Sequence, residues 1–145
     1  MSERAYHLER FLRAHEQAYA VALDEIRQGR KQSHWIWFIF PQLKGLGSSH
    51  NALYFGIADL EEARCYLAHP LLRANLEEIS EALLALETND AAAVMGYPDV
   101  LKLRSCMTLF AHASEPGSVY ERVLAKFYGG VEDAETLRLL GGDAE

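Results

Sequence analysis

The polar residues best suited to chemistry lie in one aromatic-rich stretch, residues 29–49, with the sequence GRKQSHWIWFIFPQLKGLGSS. It holds both tryptophans of the 145-residue chain. Cationic, hydroxyl, amide and imidazole groups flank the rings, namely Lys31, Ser33, His34, Gln42, Lys44, Ser48 and Ser49. Aromatic faces beside such groups suit a ligand with a flat ring and an anionic arm. The competing interpretation is that the aromatic rings belong to the hydrophobic core and the polar residues to a surface loop. It is favoured for Trp35 and Phe40, and less so for His34 and Trp37.

A second polar group lies far along the chain, in the helix predicted after Pro98. Asp99, Lys102 and Ser105 recur every three residues and so share one side of that helix. Lysine and hydroxyl groups near a helix N-terminus can receive a phosphate. The alternative is an exposed Asp99–Lys102 ion pair, worth less than about 1 kcal/mol.

If both groups form one site, each residue type has an expected role. Trp37 would stack the ring, and Asp99 or His34 would be the acid–base group. The remaining polar residues would bind the ligand and its phosphates: Lys31, Gln42, Lys44, Ser48, Ser49, Lys102 and Ser105. This composite site requires the two stretches to lie side by side in space.

Other kinds of site find no support in the sequence. The six histidines show neither HExxH nor a paired Cys/His spacing, so no metal site is predicted. There is no GxSxG, and Cys106 lies in an apolar helical pattern that favours burial. The GLGSS segment, residues 45–49, lacks the spacing of a phosphate-binding glycine loop and is interpreted as a turn. No cofactor is predicted.

Charge and composition restrict the class of protein. The net charge of −7 argues against general nucleic-acid binding, although residues 26–58 contain basic residues and no acidic ones. No apolar run approaches the roughly 20 residues needed to span a bilayer, so no membrane association is predicted. The N-terminal MSERAYHLER has no signal-peptide core, and the two cysteines form no CxxC pair. We therefore expect a cytoplasmic protein.

The hydrophobic pattern is helical along most of the chain. Residues 5–28 carry one apolar stripe that ends before Gly29, with His15 on it as a hydrogen-bonded core histidine. Residues 35–40 fit either a short helix or a strand. Asp59 with Glu62 predicts a helix N-terminus, Pro70 suits the first turn of the next helix, and Asp133 is predicted to cap a last helix. We predict an all-α, compact single domain over residues 1–145, with about six to eight helices and a frayed tail at 141–145.

Four segments, taken in order, resemble a known family: SHWIWFIFPQLKGLGSS, EARCYLAHP, GYPDVLKLRSCMTLF and VLAKFYGGVEDAETLRLL. They resemble the bacterial family catalogued as domain of unknown function 1810, often labelled calpastatin-like. The resemblance implies a compact, mainly α-helical domain without an established activity. The chain departs from the family pattern at Phe55, where a tyrosine is typical, and at Arg73 and Asn75, where glycine and then arginine are typical after His69–Pro70.

A second likeness links the last third of the chain to the YbiA-like helical proteins, which are proposed to act on ADP-ribose-type N-glycosidic bonds. Two hypotheses about function follow. In the first, the protein binds a nucleotide-like or ADP-ribose-type anionic small molecule or cleaves its N-glycosidic bond. In the second, it is a non-catalytic protein-interaction module with Trp35, Trp37 and Phe38 partly exposed. The sequence leaves open whether the protein is an enzyme and what its oligomeric state is.

Overall fold

The computed structural model describes residues 6–141, and the regular structure of this part of the chain is helical. Its helices are α1 Glu9–Arg27, α2 Ile36–Ile39, α3 His50–Phe55, α4 Leu60–Ala68, α5 Pro70–Leu84, α6 Ala91–Met95, α7 Asp99–His112, α8 Val119–Tyr128 and α9 Ala134–Gly141. Within residues 6–141, β pairing is limited to an isolated parallel bridge between Leu43 and Ile57. The all-α prediction is confirmed. Apart from Gly141, the tail predicted at residues 141–145 lies outside the described residues.

Local side-chain chemistry sets several helix boundaries. The Asp59 carboxylate accepts a hydrogen bond of 2.9 Å from the Glu62 N–H and begins α4. Pro70 is the first residue of α5, where its missing N–H costs nothing. Asp133 likewise caps α9, through a 2.9 Å hydrogen bond from the Thr136 N–H. These ends agree with the predicted ones, because each depends on residues close in sequence.

Helix α7 lies at the centre of the fold. It packs against α8, α6, α9 and α4, while α1 packs against α5, and α5 against α8. The segment from Ser105 to Ala111 is buried at every position. A helix that is buried all round must be enclosed by other elements. Trp35 and Phe40 also lie in this core, as the sequence favoured.

His15 joins three parts of the fold. Its Nε2 lies 2.8 Å from the Phe38 carbonyl oxygen, and its Nδ1 lies 3.0 Å from the side-chain nitrogen of Asn75. The amide of Asn75 donates to Nδ1, so Nε2 carries the proton and donates to Phe38. Burial lowers the pKa of His15, although the Phe38 hydrogen bond opposes this shift. The prediction of a hydrogen-bonded core histidine is confirmed.

A pH-dependent stability follows from this neutral imidazole. Below the unperturbed pKa of 6.5, the unfolded chain protonates His15 while the folded protein keeps it neutral, so the free energy of unfolding should fall as the pH decreases. At a pH below both pKa values, each unit by which folding lowers the pKa of His15 removes about 1.4 kcal/mol from the free energy of unfolding. The His15→Gln variant preserves a donor and an acceptor without titrating. Urea unfolding at about pH 7.5 and about pH 5.5 should show a smaller loss for His15→Gln than for the wild type. Equal losses would contradict this role for His15.

Candidate functional site

The two polar groups singled out in the sequence meet in the structure. The Lys31 ammonium lies 2.7 Å from Oδ2 of Asp99, and the Lys102 ammonium lies 3.6 Å from Oδ1 of the same carboxylate. Lys102 also stands 5.8 Å from the centroid of the Trp37 ring. The beginning of α7 and the aromatic stretch are therefore neighbours, as the composite site requires.

A buried carboxylate near the end of α1 positions the aromatic stretch. Oε1 of Glu25 accepts hydrogen bonds from the Gln32 N–H, the Ser33 N–H and the Trp35 indole, at 2.8, 3.0 and 2.9 Å. Oε2 accepts one of 2.6 Å from the Ser33 hydroxyl. Burial by itself would raise the pKa of Glu25, but these hydrogen bonds together lower it to about 2. The turn before α2 is thereby fixed, and Lys31 is held beside Asp99.

Gln42 lines a cavity between the segment after α2 and the first half of α7. Its backbone carbonyl accepts a 2.8 Å hydrogen bond from Ile57, which fixes the residue beside the Leu43–Ile57 bridge. The side chain is only 1% exposed, and its amide nitrogen has no hydrogen-bond partner among residues 6–141. The cavity, called the Gln42 cavity below, has a volume of about 340 Å³. It is lined by Gln42, Gly45, Leu46, Pro98, Leu101, Lys102, Ser105, Asp133 and Glu135.

The polar groups around the Gln42 cavity differ in how far they are already engaged. The Ser105 hydroxyl donates a 3.2 Å hydrogen bond to the Leu101 carbonyl and keeps its capacity to accept. The Asp133 carboxylate caps α9, and Arg138 holds Glu135. Lys102 is partly exposed, and its contact with Asp99 is long. The cavity therefore offers a cation and an amide donor beside an apolar wall.

Trp37 does not offer a surface for stacking. Its side chain is 5% exposed, and a Cβ atom placed on Gly47 would lie 3.2 Å from Cζ2 of the indole. The Gly47 backbone thus lies close over the ring, and a larger residue there would force the indole or Ala52 to shift by a few tenths of an ångström. Trp35 is 1% exposed. The interaction-module hypothesis required Trp35, Trp37 and Phe38 to be partly exposed: this is wrong for both tryptophans, which the core encloses, whereas Phe38 is partly exposed.

The other predicted site residues lie apart from the Gln42 cavity. Ser49 caps α3, accepting a 3.1 Å hydrogen bond from the Ala52 N–H. Lys44 lines a different cavity of about 390 Å³, beside the buried Arg10–Glu62 ion pair. His34 and Ser48 are exposed, and neither lines the Gln42 cavity. Of the predicted ligand-binding residues, the structure brings Gln42, Lys102 and Ser105 together here.

Sequence reasoning missed the acidic and apolar members of this region. Leu46 lies in the segment that was interpreted as a turn, and Leu101 and Glu135 were not assigned to a site. For Glu25 a signal was present: it lies on the apolar face of α1, three residues after Ala22 and one before Ile26. An acidic residue on a core-facing stripe requires several hydrogen-bond donors nearby.

Residues 6–141 contain no group of three histidine, cysteine or acidic side chains arranged to hold a metal ion. Among the helices of the same residues, none has the length and apolar character required to cross a membrane.

Replacing Asp99 should affect stability more than replacing Lys102. The Lys31 side chain is only 6% exposed, so the Asp99→Asn variant leaves a nearly buried ammonium without its anion. We expect a loss of about 2–4 kcal/mol in the free energy of unfolding. The control Lys102→Gln removes only the longer, more exposed contact and should cost less than about 1 kcal/mol. Urea unfolding measures both. Equal losses would show that the Lys31–Asp99 pair does not hold α7 against the aromatic stretch.

Comparisons with known proteins agree with the family resemblance. The family described as "Protein of unknown function (DUF1810)" has a model that matches residues 5–140. The chain is also similar to the crystal structure of the conserved hypothetical protein Rv1873 from Mycobacterium tuberculosis, with 46% sequence identity and a TM-score of 0.90. That match covers 92% of this chain and 96% of the other. No curated protein matches the chain. The chain belongs to the DUF1810 family of proteins of unknown function.

Proposed function

We propose that the protein binds a small, ring-bearing, anionic molecule of the nucleotide type in the Gln42 cavity. The observation that carries this proposal is the buried Gln42 amide nitrogen, which has no partner in the described structure. A buried donor without an acceptor costs about 1–3 kcal/mol, and such groups are rare in folded proteins. A ligand that offers an acceptor at this point would remove that cost.

The rest of the cavity suits such a ligand. The Lys102 ammonium is placed to receive an anionic arm, and Ser105 can accept a hydrogen bond from a ligand hydroxyl. Leu46, Leu101 and Pro98 form an apolar wall for a flat ring. A volume of about 340 Å³ lies near the lower end of the range for small-molecule sites, about 300–1,000 Å³. This size favours a nucleoside monophosphate over the larger ADP-ribose.

Binding is better supported than N-glycosidic cleavage. Cleavage requires a carboxylate that is available to move a proton or to stabilise a sugar cation. Asp99 is shared by two lysines, and Asp133 is used as a helix cap. The Arg138 guanidinium lowers the pKa of Glu135, which favours the ionised carboxylate already bound to that arginine. Cleavage is tested separately from binding, by measuring whether free base is released from the bound nucleotide.

A cytoplasmic location belongs to the same proposal. The free cysteines Cys65 and Cys106 fit a reducing compartment, where nucleotide-type metabolites are also found.

Binding and stability should respond in opposite directions to one substitution. The Gln42→Met variant removes the partnerless amide at similar volume, so its melting temperature should equal or exceed that of the wild type. Its affinity for a nucleoside monophosphate, measured by calorimetry with AMP as the probe, should fall about tenfold or more, because a hydrogen bond to the ligand is lost.

Two further variants locate the binding. Lys102→Gln should weaken AMP binding and leave adenosine binding nearly unchanged, because the lysine is expected to contact the anionic arm. Lys44→Gln removes the same charge at a residue outside the cavity and serves as the matched control. If AMP, adenosine and ADP-ribose all fail to bind the wild type at millimolar concentration, or if Lys44→Gln loses as much affinity as Lys102→Gln, the proposal is wrong.

A further inference from the structure

A second cavity, called the Tyr120 cavity below, lies at the other end of α7. It occupies about 300 Å³ between the C-terminal end of α7 and the facing parts of α4, α5 and α8. Tyr120 lines it and is 2% exposed. The phenol oxygen of Tyr120 is buried and has no hydrogen-bond partner within residues 6–141. This cavity shares no lining residue with the Gln42 cavity.

The Tyr120 phenol can act only as a neutral group. Burial raises its pKa, and the charge of Glu77 raises it further, while Arg73 opposes the shift. The hydroxyl therefore keeps its proton at neutral pH, and that proton requires an acceptor. Among the described residues none supplies one. The Tyr120 side chain lines the cavity together with Arg73 and Glu77.

Two arginines on the same cavity wall have donor capacity that the fold does not use. Arg64 of α4 makes no hydrogen bond or ion pair with the described residues. Arg73 of α5 binds Oε2 of Glu77 through Nε, at 3.0 Å, and its contacts within residues 6–141 do not engage its terminal nitrogens. Planar guanidinium groups with free N–H donors are suited to binding carboxylate and phosphate.

The remaining charged groups of this wall are already engaged or lie at its edge. Glu77 is the partner of Arg73, and His112 is bound to Glu132 at 2.8 Å. Glu115 is exposed on the turn between α7 and α8. The wall therefore carries the Tyr120 phenol and the exposed guanidinium groups of Arg64 and Arg73, beside the carboxylates of Glu77 and Glu115.

We infer that the Tyr120 cavity is a second binding site, which takes a small oxyanion such as the carboxylate or phosphate group of a metabolite. Tyr120 donates a hydrogen bond to one oxygen of the anion, and Arg64 and Arg73 balance its charge. The site is separate from the Gln42 cavity. His112 follows Lys102 by about three turns of α7, which corresponds to about 15 Å along the helix axis.

The test uses inorganic phosphate and succinate as probes, each titrated at constant ionic strength maintained with sodium chloride. Affinity is read from the chemical-shift changes of the Ser114 and Tyr120 backbone amides. In the wild type we expect saturable changes at these amides with at least one probe. Phosphate alone would identify a phosphate-type ligand, and succinate alone would identify a carboxylate.

Two variants and two controls make the result specific. Tyr120→Phe removes only the partnerless hydroxyl and should fold as the wild type does, whereas its affinity for the probe should fall about tenfold or more. Arg64→Gln should weaken binding to a similar extent. Arg13→Gln and Arg27→Gln each remove an exposed arginine on α1, outside both cavities, and both should bind as the wild type does. The inference is overturned if neither probe binds, or if Tyr120→Phe and Arg64→Gln bind as tightly as the controls. Failure of AMP binding at the Gln42 cavity would leave this result unaffected.

Discussion

The carboxylate of Glu25 is the interaction on which the arrangement of the aromatic stretch depends. It lies near the C-terminal end of α1 and accepts four hydrogen bonds from residues 32–35. A buried carboxylate is tolerated only when donors satisfy it, and here the donors hold its pKa at about 2 despite burial. The same four bonds fix the turn that leads into α2. Lys31 precedes that turn, and its backbone N–H also binds the Val94 carbonyl at 2.7 Å, so both contacts place it next to Asp99 at the start of α7.

Helix α7 explains why the two candidate cavities lie where they do. From Cys106 to Phe110 it is enclosed on every side, so this section leaves no room for a ligand. Its first turns carry Lys102 and face the loop after α2, and its last turn faces α4, α5 and the beginning of α8. Both ends border open volume, because the segment after α2 lines one cavity and the turn between α7 and α8 lines the other. Polar side chains of α7 therefore border open space at its two ends.

The fold was predictable where the controlling residues are close in sequence. The caps at Asp59 and Asp133 and the position of Pro70 each require only a few neighbouring residues, and the structure agrees with them. The burial of Trp37 depends on the approach of the Gly47 backbone, which is a tertiary contact and leaves no periodic pattern. The proximity of the two polar groups was inferred from their chemistry. Nothing in the sequence indicated that Asp99 is held first by the nearly buried Lys31 and only second by its neighbour Lys102.

A buried polar atom without a partner does not by itself indicate a site. Within residues 6–141 the side-chain atoms of this kind belong to Gln42, Ser80, Arg104 and Tyr120. Ser80 is a small hydroxyl inside α5 and lines neither candidate cavity. The Arg104 guanidinium lies 5.6 Å from the Tyr128 ring and is only partly buried, so other parts of the group remain accessible to water. Gln42 and Tyr120 differ because each is almost completely buried and also borders an open volume. In both residues the partnerless donor belongs to a side chain that lines a cavity, and that coincidence distinguishes a candidate site from an ordinary imperfection of packing.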